Sequence, residues 1–175
     1  MPTRPLFSVL PAIAALSFSL CMSAAHADNY ADVNRLINAG QLAQALTRAD
    51  AHLAVSPKDP QMRFLKGVVQ TQAGKSNEAI ALFTQITTDY PELAEPYNNL
   101  AVLYAAQGQL DKARATLEMA IRANPIYATA HENLGDVYAQ LANQSYQLAL
   151  QQDANNPSLR PKLAIIRQLL TPVKP

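Results

Sequence analysis

Residues 94–127 read AEPYNNLAVLYAAQGQLDKARATLEMAIRANPIY, and this stretch decides the fold. Two apolar runs recur at three- and four-residue spacing, Tyr97, Leu100, Ala101, Leu103 and Tyr104, then Ala113, Leu117, Ala120 and Ile121. Such spacing stripes one face of a helix. Between the runs stands Gln107-Gly108-Gln109, whose glycine can adopt the positive φ that ends a helix, and Asn124-Pro125 closes the second run. The stretch predicts one helical hairpin, with each helix too short and too amphipathic to stand alone.

The hairpin is written three times. Gly40, Gly74 and Gly108 lie 34 residues apart, as do Ala45, Ala79 and Ala113, and Pro57, Pro91 and Pro125. A period in this range marks a solenoid: the glycine makes the tight turn, the alanine lets two helices cross closely, and the proline ends the second helix. On these residues the chain resembles tetratricopeptide repeat proteins, whose pattern of aromatic, Leu-Gly, Tyr, Ala, Phe and Pro is met by Tyr97, Leu100, Ala101, Tyr104, Ala113, Leu117 and Pro125. Gly67, Ala79, Phe83 and Pro91 meet it in the preceding repeat, and Leu134-Gly135 with Tyr138 opens a fourth. The resemblance implies an all-α fold, a right-handed solenoid of stacked hairpins whose first helices line a concave groove.

Residues 1–27 are a different kind of sequence. Arg4 is followed by an uncharged apolar run from Leu6 to Met22 and by Ala25-His26-Ala27, a small-x-small cleavage signature. The run is short and interrupted by Pro11, so we read a secretory signal cleaved after Ala27 rather than a membrane span. Cys21 follows Leu20, where a lipoprotein signal requires a small residue, so lipid anchoring through Cys21 is not expected. Cys21 is the only cysteine, and its removal leaves a chain without thiol or disulfide chemistry, as suits a periplasmic or secreted protein.

The mature chain, 28–175, suits one domain. Its repeats fall at about 28–59, 60–93, 94–127 and, shortened, 128–156, with a capping helix over 158–171. The formal net charge of the whole chain is +1; with no basic cluster, nothing points to nucleic acid or to stable membrane insertion after cleavage. The first repeat is the weakest match, and Asp28 or Asn29 is placed to cap its first helix. In the fourth, the turn glycine expected after Tyr138 is missing and nothing from Thr129 to Gln152 breaks a helix. The segment therefore predicts one long helix or two joined by a bare kink. Beyond Pro157, Ser158 is a candidate cap, and Leu163, Ile166, Leu169 and Leu170 form a stripe that most simply lids the last hydrophobic face, the rival reading being a dimerisation or membrane-surface helix.

No catalytic constellation is legible. His52 and His131 stand at packing positions of the repeat, and Glu132 and Asp136, four apart on one face, read as a solvated acidic surface rather than a metal site. There is no glycine-rich phosphate loop, nucleophile elbow or HExxH motif. We therefore expect no enzyme, cofactor or metal, but a scaffold that binds a protein or peptide partner in its groove. The resemblance places Asn98, Asn99, Glu132, Asn133 and Asp136 on the groove wall, with Phe64, Tyr30 and Asn34 from the earlier repeats. Asn99 and Asn133, 34 apart, admit two readings: a ladder of amides pairing with an extended peptide backbone, as in some peptide-binding members of the family, or side chains that bond local backbone or face water. A clamp for a terminal carboxylate is not expected, because Lys and Arg are absent from these positions. The alternative function is a structural one, self-association into a homo-oligomer.

Overall fold

The computed structural model describes residues 29–171. The signal segment, its cleavage site, Cys21 and the capping role of Asp28 lie outside the described residues. Among those described there are eight helices and no strand: α1 (29–38), α2 (Leu42–Val55), α3 (Pro60–Gln72), α4 (Ser76–Asp89), α5 (Ala94–Ala106), α6 (Leu110–Ala123), α7 (Ala128–Gln152) and α8 (Leu159–Leu169). From α2 to α8, each helix packs against the next along the chain. α3 also touches α5 and α5 touches α7, so these first helices form a continuous inner wall. The architecture is an all-α solenoid.

Each hairpin turns on a glycine. Gly40, Gly74 and Gly108 have φ of +68°, +73° and +72°, and among the described residues no other residue has a positive φ. At the last of these turns the Gln109 N–H donates to Tyr104 O at 2.9 Å and the Gly108 N–H to Ala105 O at 2.9 Å. The same two bonds recur at the other two turns. This is the Schellman pattern, which satisfies carbonyls that a helix end otherwise leaves open.

Small side chains let the helices approach. Ala45, Ala79 and Ala113 are each wholly buried, and so are Phe83, Ile86 and Met62. Gly67 shows why the family pattern wants a small residue there: a Cβ on it would stand 2.6 Å from the Phe83 ring. The cost of a mid-helix glycine is repaid by close packing of α3 on α4.

The fourth hairpin does not form. α7 is a single helix of 25 residues, which settles the open choice for 129–153. No proline or left-handed residue interrupts it, so each added residue gains a helical hydrogen bond. Gly135 keeps the repeat's small position but has lost its neighbour, for a Cβ there would meet nothing within 4 Å. α8 packs on α7 through buried Leu159 and Leu163, with Ile166 and Leu170 half-buried, while Leu169 is 66% exposed. This corrects the expected stripe: positions 159, 163, 166 and 170 share one helical face, and Leu169 sits about 100° around from Leu170. Ser158 is also not the cap its position suggested, since its side chain makes no cap bond; its hydroxyl is 2.8 Å from Asn156 Oδ1.

Candidate functional site

The groove wall is built by α3, α5 and α7. Across it Asn133 Nδ2 donates to Asn98 Oδ1 at 2.8 Å, joining successive first helices. Asn98 is only 6% exposed. Asn99 instead turns along its own helix and donates to Glu95 O at 2.9 Å. Of the two readings of these amides, Asn99 follows the local one, and the pair that bonds across successive helices is Asn98 with Asn133. A shift of one residue rotates a helical side chain by about 100°, and that rotation places Asn98 rather than Asn99 against the next repeat.

Two hollows open along these helices. One, of about 140 Å³, is lined by Val102, Asn133, Asp136 and Gln140 among others. The other, of about 370 Å³, lies between Phe64, Gln61, Leu93, Glu95 and Pro96. Phe64 is half-buried there with its ring 5.8 Å from that of Phe83, and Val102 is 45% exposed. A larger hollow of about 500 Å³ lies away from this wall, between α1 and α2, where Asp32 already pairs with Arg35 and Arg48.

The sign of the groove follows from which charges are already paired. On α3, Arg63 Nη1 lies 2.6 Å from Asp89 and Lys66 Nζ 2.6 Å from Asp50, so both bases serve the neighbouring helices. α5 and α7 contain no Lys or Arg. Their carboxylates, Glu95, Glu132 and Asp136, are exposed, and none joins an ion pair among the described residues. Burial, with the negative charge of Glu95 adding to it, pushes the Tyr127 phenol above its usual range. Glu95 was missed in the sequence because its place near Tyr127 depends on how the next repeat packs.

The residues expected from the first repeat separate. Asn34 is exposed on α1. The Tyr30 hydroxyl, by contrast, donates to Asp59 Oδ2, and its ring stands 5.5 Å from that of His52. Tyr30 is thus corrected from a groove residue to one that ties α1 to the start of α3. His52 Nε2 is 2.7 Å from the same carboxylate oxygen, and Asp59 Oδ1 accepts the Met62 N–H at 3.1 Å as the cap of α3. The signal for Asp59 was present in the sequence as Asp59-Pro60, a cap residue followed by proline at the first helical position. His131, at the aromatic position, is exposed and lies with Nε2 3.0 Å from Pro125 O.

Among the described residues no three His, Cys, Asp or Glu side chains converge on a possible metal position, and no helix is long and apolar enough to cross a membrane.

Two family models, both described as tetratricopeptide repeat, match residues 30–94 and 70–134. The chain belongs to the tetratricopeptide repeat family, a class of interaction scaffolds. It is 40% identical over 79 residues to the chloroplastic tetratricopeptide repeat domain-containing protein PYG7 of Arabidopsis thaliana, covering 42% of this chain and 26% of that one. It is 31% identical over 123 residues to the TPR repeat-containing thioredoxin TTL4 of the same plant, covering 70% of this chain and 17% of that one. The chain thus spans about a quarter or less of these relatives. Among solved structures, TTC0263, a thermophilic TPR protein of Thermus thermophilus, aligns with a TM-score of 0.62 at 26% identity, covering 82% of this chain and 81% of that one. PilF of Pseudomonas aeruginosa aligns with a TM-score of 0.64 at 19% identity over 84% and 69% of the two chains.

Proposed function

We propose that the chain is an exported, non-catalytic module that holds a cationic segment of a protein partner in its concave groove, in the periplasm or outside the cell, as part of an envelope assembly. The observation that carries the binding mode is the set of three exposed carboxylates on α5 and α7, Glu95, Glu132 and Asp136, none of them in an ion pair among the described residues, with Asp136 lining a hollow beside Asn133. Exposed Val102 and half-buried Phe64 supply apolar contact beside them. A segment laid there gains side-chain burial from the hollows and charge-assisted hydrogen bonds from the acids.

The test uses two fluorescent peptides of equal length, one Lys- and Arg-bearing with apolar residues between, the other with Glu in place of the bases. Anisotropy should rise with the cationic peptide only and fall back with added salt. Replacing Glu95→Gln, Glu132→Gln and Asp136→Asn together should weaken binding about tenfold at unchanged melting temperature, since each exposed ion pair contributes about 0.2–1 kcal/mol. Equal binding of the acidic peptide defeats this reading of the groove.

Export rests on the apolar run from Leu6 to Met22 and on Ala25-x-Ala27. The intact mass of protein taken from the envelope fraction should begin at Asp28. A chain retaining Met1, or one carrying lipid at Cys21, refutes the export reading as stated.

A further inference from the structure

The charge the groove lacks is present elsewhere on the same chain. α8 carries Arg160, Lys162 and Arg167 and no acidic residue. Lys162 Nζ lies 5.2 Å from the centre of the Tyr146 ring, whereas Arg160 and Arg167 are exposed and join no ion pair among the described residues. The helix also has apolar surface to spare. With Leu159 and Leu163 turned to α7, Ile165 and Leu169 remain 65% and 66% exposed, and their four-residue spacing makes one strip. Among helices α2 to α8 of a single copy, α8 packs against α7 alone and does not reach α5 or α3, so Glu95 and Phe64 are beyond its contact.

Resting on the groove reading above, we propose that the cationic segment the groove takes is α8 of a second copy of this chain, so that copies join head to tail. The two surfaces complement each other in both respects, because the arginines lie on one flank of α8 and the apolar strip on the other, and the walls of a concave groove touch both flanks of a helix seated in it. Arg160 and Arg167 meet Glu95, Glu132 and Asp136, while Ile165 and Leu169 meet Val102 and the hollow beside Phe64. Because the joined surfaces are different, using one leaves the other open, and association continues as a series instead of closing at a dimer.

Sedimentation velocity on the purified protein, with two variants, tests this. One variant neutralises the groove (Glu95→Gln, Glu132→Gln, Asp136→Asn) and keeps α8. The other neutralises α8 (Arg160→Gln, Arg167→Gln, with Ile165→Ser) and keeps the groove. All six positions are exposed, and circular dichroism melts confirm the fold of each variant. The native chain should grow beyond a dimer as concentration rises and retreat with salt. Each variant alone should be monomeric, with self-association weakened at least about tenfold. Mixed in equal amounts, the two should form a 1:1 dimer that grows no further, because one working groove meets one working helix. A native chain that stays monomeric at all concentrations overturns the proposal. So does a groove variant that still dimerises, which would mean two-fold pairing of α8 strips. If the cationic peptide still binds while the native chain stays monomeric, the groove reading survives and only self-assembly falls.

Discussion

Phe83→Ala should lower stability by about 3–5 kcal/mol, the range for emptying a large aromatic site in a packed core. In a domain of this size that shifts the melting temperature by on the order of 10 °C. The ring is wholly buried and closes the space over Gly67, where a Cβ would come within 2.6 Å of it. Gly67→Ala should therefore destabilise too, by about 1–3 kcal/mol, because overpacking outweighs the gain in helix propensity. The two changes act on one space, so the double variant should cost less than the sum of the singles, by at least about 0.5 kcal/mol. Gly135→Ala provides the contrast. The repeat pattern assigns it the same position, but nothing lies within 4 Å of its Cβ direction, and the substitution should stabilise by about 0.5–1 kcal/mol. Thermal melts in the presence of salt, where self-association is weakest, measure all four. A Gly67→Ala variant as stable as the native chain would show that the ring yields and that closeness at this crossing is not required.

The second large effect belongs to Asp59. Asp59→Ala removes the cap of α3, about 1 kcal/mol, and leaves the Tyr30 hydroxyl and the His52 ring without their shared acceptor, so a loss of about 2–4 kcal/mol is expected in all. Asp59→Asn, which keeps an oxygen for the Met62 N–H, should lose about half as much. Solenoid stability is summed between neighbours, so the damage should be local. Hydrogen exchange should speed first in α1 and α2, while α5 and α6 keep their protection.

The same carboxylate makes stability depend on pH at both extremes. Burial opposes the charge on Asp59, yet hydrogen bonds from Tyr30, the Met62 N–H and His52, with the attraction of the imidazole, outweigh it and hold its pKa below the usual range. Its contribution is present above the ordinary carboxylate value of about 4 and is lost as pH falls through the lower folded value. Tyr30 is pushed up to about 12, chiefly by burial and then by its bond to Asp59 and the charge there. Its contribution is complete below the ordinary phenol value of about 10 and is lost as pH rises toward 12. Tyr30→Phe should flatten the alkaline limb of a melting-temperature profile and shorten the acid one. An alkaline limb unchanged in Tyr30→Phe would place the titrating phenol elsewhere.

Much of this molecule is legible in one dimension. A glycine at each turn, an alanine at each crossing and a proline after each second helix recur at one period, and each is dictated by backbone geometry within its own hairpin. Sequence by itself therefore determined the hairpins, their order and the inner wall that α3, α5 and α7 share, along with the absence of the fourth turn. It left open whether 129–153 is one helix or two joined by a kink, because the repeat pattern calls for a turn there while the segment offers no residue that ends a helix. Nor did periodicity place individual side chains on the wall. One residue along a helix is a large rotation, and whether that rotation meets solvent or a neighbour depends on how far the next repeat is turned. The packing of one repeat on the next made Asn98 the partner of Asn133, drew Tyr30 to Asp59 across 29 residues of chain, and left Glu95, Glu132 and Asp136 exposed. Charge balance along the chain gave no hint of this acidity, because the bases that would cancel it are bound to second helices or carried on α8. Only the packing of one repeat on the next separates them.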